Sequence, residues 1–234
     1  MRDTAFTRAA LVRSFTEDDP EVVFASLRDR LCLLAQTRDP DLIEELIQYA
    51  SCFVEFRQRP DFVSRCRDIC AFGQSDDDMT RLARAWFTDH APYREGIPRA
   101  DDQNAQLLIS LPRGVQRARA RLNNRGHNEA LMRSPFPDVI EILCANPAIR
   151  EPDVTFMASR RPTQNKLLEP VLASQWVIRP EVRFALAANP YIQTSHAIRC
   201  AATLSRHHLM LLSDMNELHP QLRALARCMA DLFF

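Results

Sequence analysis

The chain has 234 residues, 46% hydrophobic and 26% charged, with 30 acidic and 30 basic side chains and a formal net charge of zero. This is enough apolar material for one continuous core or two small ones. Its 4 glycines are too few for the loops that bring backbone against phosphate, which excludes P-loop and dinucleotide-binding architectures.

The charge is unevenly placed. Residues 1–105 carry 20 acidic and 14 basic side chains, a net −6, and residues 106–234 carry the compensating +6. Lys166 is the one lysine among the 30 basic residues, a bias that fits the arginine codons of a G+C-rich genome. Seven cysteines form an odd set. Residues 1–15 lack the apolar core of a secretory leader, and no run reaches the ~20 apolar residues of a membrane span. The expectation is a cytoplasmic protein with reduced thiols and no membrane contact.

In chain order, residues 1–15 suit a short amphipathic helix. Thr16 to Asp19 then read as a helix start, with Thr16 as cap and Pro20 in the first turn. Val22, Phe24, Leu27, Leu31 and Leu34 follow at helical spacing. Asp39-Pro40-Asp41 opens a second helix, Pro60-Asp61 a third, and Ser75 before Asp76, Asp77 and Asp78 caps a fourth. Residues 91–100 break the pattern and mark the best internal boundary. It separates an acidic helical region over 1–90 from a repeat region over 101–234. Asp101 caps the next helix, and Pro112 begins another that ends near Asn123 to Gly126. Shorter helices are expected over 137–145, 151–159, 163–174, 180–188, 194–203 and 206–214. No run alternates with β-branched enrichment, so the chain reads as all-α.

One phrase is written twice. Pro137-Asp138-Val139 leads through Leu143 to Ala145-Asn146-Pro147, and Pro180-Glu181-Val182 leads through Leu186 to Ala188-Asn189-Pro190. A third opening stands at Pro220-Gln221-Leu222. A period of about 40–47 residues is the mark of stacked helical units. Helices this short are marginal alone, so Val139, Leu143, Val182 and Leu186 need a neighbouring helix to cover them. Each Asn-Pro reads as a helix stop, because proline pushes its predecessor out of the helical region and asparagine tolerates a left-handed C-cap.

Those positions resemble bacterial HEAT-like and variant leucine-rich α-helical repeats rich in Ala-Asn-Pro turns. The resemblance covers residues 137–214. It implies an α-solenoid of HEAT/armadillo type, continuous with the N-terminal region, and a non-catalytic scaffold or adaptor that binds a protein partner without a cofactor.

The most distinctive local feature is the run Arg113, Arg117, Arg119, Arg121 and Arg125, with no acid between Asp102 and Glu129. On a helix Arg113, Arg117 and Arg121 form one stripe, and Val115, Ala118 and Leu122 form another face. Aligned guanidiniums repel by a few tenths of a kcal/mol per pair. Their neutraliser is either an anionic partner, protein or phosphate backbone, or the acidic N-terminal half. The nucleic-acid alternative resembles the HEAT-like alkylpurine DNA glycosylases. These use tryptophans, arginines and an acid, for which only Trp86, Trp176 and Asp89 are available here. Cys66 and Cys70 share a helix face but lack a second ligand pair for zinc. His207 and His208 point apart, and His196 and His219 stand alone in sequence, so all four read as surface or capping residues. The acidic run at 76–78 lacks calcium-loop spacing and reads as a helix N-terminus. No catalytic constellation and no metal site is expected.

Overall fold

A computed structural model describes residues 4–57, 59–88, 91–96, 107–108 and 110–233, with side chains from residue 9 onward. Among these residues there are fourteen α-helices, one short 3-10 helix and no strand, and Pro92 and Gln193 form an isolated antiparallel bridge. The helices are α1 (Thr4–Glu17), α2 (Pro20–Thr37), α3 (Pro40–Phe56), α4 (Phe62–Ala71) and α5 (Asp78–Phe87). Then follow α6 (Arg113–Ala120), α7 (Arg125–Leu131), α8 (Pro137–Ala145), α9 (Glu151–Ser159) and α10 (Asn165–Ala173). After the 3-10 turn Gln175–Ile178 come α11 (Pro180–Ala187), α12 (Thr194–Ala201), α13 (Arg206–Asp214) and α14 (Pro220–Leu232). The all-α expectation holds. Of the helix expected to begin at Asp101, residues 101–106 lie outside the described residues, and Leu107 and Leu108 are helical.

The chain divides into two compact units: residues 1–91 with 194–234, and residues 92–193. The break at residue 91 falls where the helical pattern of the sequence stops. The phrase opening at Pro220 belongs to the first unit, together with the N-terminal helices.

In the first unit acidic side chains cap α2, α3 and α5. Asp19 accepts from the Glu21 amide at 3.0 Å and Asp39 from the Asp41 amide at 2.9 Å, each followed by a first-turn proline. Thr16 is not a cap: α1 runs to Glu17, and the Thr16 hydroxyl bonds back to the Val12 carbonyl at 2.9 Å. Nor does Ser75 cap α5. The cap is Asp77, which accepts from the Thr80 amide at 2.9 Å while Ser75 donates to its other oxygen at 2.6 Å. These donors hold the Asp77 carboxyl far below the usual carboxylate range, so it is charged where the helix dipole favours a negative group.

The core of this unit is aromatic. Phe15 stacks on Phe56 at 4.3 Å between ring centroids, and Phe53 meets Phe56 edge-on at 5.5 Å. Gly73 is needed for close approach, since a Cβ there would stand 2.5 Å from the ring of Phe24.

The second unit holds two three-helix sets, α6–α8 and α9–α11. In both, the first helix packs on the second and on the third. Val139, Leu143, Val182 and Leu186 are fully buried. Each set closes on the same side-chain clamp. Asn146 Nδ2 donates to the carbonyls of Ala120 (2.7 Å) and Leu122 (3.1 Å) at the end of α6, and its Oδ1 accepts from the Ala148 amide at 2.8 Å. Asn189 Nδ2 donates to Ala158 (2.7 Å) and Arg160 (3.1 Å) at the end of α9, and its Oδ1 accepts from Tyr191 at 3.0 Å. Last-turn carbonyls have no partner within their own helix, so one amide satisfies two of them. The left-handed conformation expected at this asparagine is not adopted. Asn146 is extended, at φ −75° and ψ 127°, as the residue before a proline prefers. Among the described residues the left-handed cap is instead Arg38, at φ 49°.

Candidate functional site

Helix α6 carries most of the arginine run. Its buried face is made by Gln116 and Ala120, both fully covered. Gln116 donates to the Leu111 carbonyl at 2.9 Å and accepts from Ser134 Oγ at 2.8 Å, so its amide is satisfied inside the unit. The Asn146 clamp draws the carbonyl end of the same helix onto α8. As a result the apolar face points outward: Val115 is 40% exposed and Leu122 53%. The helix buries a glutamine and an alanine while exposing Val115 and, in the bend two residues past its end, Leu122, which inverts the usual amphipathic order.

The arginines divide by their partners. Arg113 Nε stands 3.0 Å from both oxygens of Asp138, and Arg117 Nε stands 3.3 Å from one of them. Asp138 thus bridges the first two members of the stripe from the opening turn of α8. Arg125 grips Asp153 with both terminal nitrogens, at 2.6 and 2.8 Å, and reaches Glu129 through Nε at 2.6 Å. Asp153 also accepts the Arg150 amide at 2.9 Å, at the start of α9. Burial opposes its charge, but Arg125 and the Arg150 amide outweigh that and hold its carboxyl below the usual range. Arg121 donates to the Arg117 carbonyl at 3.3 Å. Arg119 and Arg121 make no ion pair among the described residues. The carboxylates that reach the run are therefore Asp138, Glu129 and Asp153 of the same unit. Five arginines face three acids, and Arg119 lies one turn from both Val115 and Leu122.

Beside this face a groove of about 530 Å³ opens between α7 and α9, lined by Arg125, Glu129, Arg133, Asp153 and Phe156. The Arg133 guanidinium lies 5.0 Å from the centroid of the Phe156 ring, which is 39% exposed.

The other sequence candidates fall elsewhere. Trp86 is fully buried and cannot stack on a base, while Trp176 is half-buried with its indole N–H donated to the Cys144 carbonyl at 2.8 Å. Asp89 lies outside the described residues. None of the seven cysteines forms a disulfide; Cys66 is buried and the Cys70 thiol is directed at the Arg84 carbonyl at 3.7 Å. No group of three or more His, Cys, Asp or Glu side chains is poised for a metal among the described residues. His219 caps α14, accepting the Gln221 amide at 3.1 Å. His196 departs from the surface expectation: it is fully buried, with Nδ1 3.1 Å from an Arg199 terminal nitrogen. Burial first, then the nearby Arg199 and Arg57, keep it neutral.

The sequence reading also missed a use of arginine. Arg160 donates to the carbonyls of Met132, Arg133 and Ser134 after α7, and Arg183 to those of Val177 and Ile178. Arg38 reaches Leu204 after α12, Arg65 reaches Phe15 and Asp18 around the end of α1, and Arg199 reaches Trp86 in α5. A forked guanidinium can serve several chain-end carbonyls at once, which a lysine ammonium does poorly. The near-absence of lysine was the available signal. Among the described residues no helix is long and apolar enough to cross a membrane. Comparison with protein-family models, curated proteins and solved structures found no match to this chain.

Proposed function

We propose that the chain is a non-catalytic helical-repeat scaffold that docks an acidic, amphipathic segment of a protein partner on the outward face of α6. The observation that carries this reading is the inversion of α6. Gln116 and Ala120 are spent on packing, leaving Val115 and Leu122 exposed beside Arg119 and Arg121. A partner helix with apolar residues one to two turns apart fits the first pair, and its flanking carboxylates fit the second. Arg113, Arg117 and Arg125, held by their acids, supply a fixed positive rim.

The recurring asparagine clamp and the shared helix order of α6–α8 and α9–α11 support a HEAT-like α-solenoid for residues 113–187. In that reading the face of α6 is the binding surface of one repeat. Seven cysteines outside any disulfide fit a reducing, cytoplasmic setting. The nucleic-acid alternative is weakened by the buried Trp86 and by the three carboxylates that neutralise part of the run.

The test is binding of a fluorescein-labelled Glu/Leu-rich helical peptide, read by anisotropy on the full chain and on the Arg119→Ser/Arg121→Ser variant. The reading expects saturable binding that weakens about tenfold or more in the variant, as loss of two charge-assisted contacts would give. Equal binding by both proteins, or none by either, overturns it.

A further inference from the structure

A second site lies in the other unit and shares no residue with the proposed docking face. Helices α1, α2 and α3 enclose a cavity of about 220 Å³. Its walls are Leu11, Val23, Leu27 and Leu46, all buried. Tyr49, itself buried, supplies an aromatic surface. The polar groups gather around one ion pair. Arg30 Nε meets Glu45 Oε1 at 2.9 Å, while Arg30 Nη1 is taken by the Ser26 carbonyl at 3.2 Å and the Ser26 hydroxyl. Both side chains are about one-third exposed, so the pair sits where the cavity meets solvent.

Two features define what would fill it. An apolar cavity of about 150 Å³ is enough to hold benzene, so this one accommodates a single ring with a short substituent. The ion pair leaves Arg30 Nη2, a donor, and Glu45 Oε2, an acceptor, without another hydrogen bond among the described residues. A neutral amide offers one carbonyl acceptor and one N–H donor side by side and satisfies both. A bare carboxylate offers only acceptors and would meet Glu45 as a like charge. A purely apolar ring would leave both polar groups covered and unmatched.

We propose that this cavity binds a small, neutral, monocyclic aromatic molecule carrying a carboxamide-like head, with the ring on Leu27, Leu46 and Tyr49 and the head on Arg30 and Glu45. Ala10 lies exposed at the cavity edge, so a large side chain there closes the site without disturbing packed residues.

The experiment uses benzamide, benzoate and toluene as probes of the full chain, by ligand-observed saturation-transfer NMR and calorimetric titration. Benzamide should bind, and benzoate and toluene should each bind at least about tenfold more weakly, the worth of one charge-assisted hydrogen bond. Ala10→Trp should abolish benzamide binding with an unchanged circular dichroism spectrum. Glu45→Gln, at the solvent edge, should narrow the gap between benzoate and benzamide. No benzamide binding, binding that survives Ala10→Trp, or equal binding of benzoate to the unaltered chain would overturn the assignment.

Discussion

Asn189→Ala removes the second of the two clamps and measures what the repeated phrase contributes. Asn189 is 1% exposed, so water does not replace what its side chain supplies. The substitution deletes two donated bonds, to Ala158 and Arg160, and one accepted from Tyr191. At about 1 kcal/mol net for each, with an added penalty for carbonyls left dry, the loss is about 2–4 kcal/mol. For a unit the size of residues 92–193 each kcal/mol is worth roughly 4–8 °C, so its melting point should fall by roughly 10–25 °C. Asn189→Asp should cost at least as much, because a carboxylate oxygen then faces two carbonyls. Pro190→Ala should cost less, about 1–2 kcal/mol, since it removes a backbone restriction and part of a buried ring but no hydrogen bond. Urea unfolding followed by circular dichroism gives each value from the midpoint at constant slope. A change below about 0.5 kcal/mol for Asn189→Ala, with Pro190→Ala more damaging, would refute the clamp and return the motif to a proline-driven helix stop.

Arg160→Lys should destabilise the second unit by about 1.5–3 kcal/mol, because an ammonium cannot reach the carbonyls of Met132, Arg133 and Ser134 together. The same urea assay would read it. Asp153 has a lowered pKa in the folded chain, so its contribution is complete above the unfolded value near 4 and is lost as pH falls through the folded value. Asp153→Asn should therefore cost stability at neutral pH and remove part of the acid dependence below about pH 4, seen in melting curves across that range. His196 has the same sign of linkage with the opposite charge, since the folded chain favours its deprotonated, neutral ring. The unfolded chain binds its proton near pH 6.5, while the folded chain, with Arg199 and Arg57 around it, resists until well below. Stability should decline as pH drops below about 6.5, and His196→Gln should flatten that decline. An unchanged slope would show that the ring is not the titrating group.

Much of the fold was legible because its signals are local. Proline openings and acidic caps placed most helix starts within a residue or two, and α8, α9 and α13 match their expected spans. What misled was competition between nearby caps. Ser75 and Thr16 are good cap residues by type, but Asp77 and Asp19 stand closer to the amides that need an acceptor. The site was less legible. The stripe Arg113, Arg117 and Arg121 follows from helical spacing alone, whereas its pairing with Asp138 depends on α8 folding back against α6. The exposure of Val115 and Leu122 was hidden for the same reason. Periodicity says which residues share a face, and only the Gln116–Ser134 bond and the Asn146 clamp decide which face turns inward.

The proposed role is tested most directly by comparing two anions under changing salt. The full chain would be titrated into a labelled acidic amphipathic peptide and, separately, a labelled DNA duplex, each at low and physiological ionic strength. Contact through Val115, Leu122, Arg119 and Arg121 predicts that peptide binding weakens only modestly with salt. It also predicts that Val115→Ser/Leu122→Ser abolishes that binding and that the duplex binds weakly or not at all. Duplex binding that falls steeply with salt, survives the Val115 and Leu122 changes and exceeds peptide binding would contradict the account and assign the arginines to phosphates.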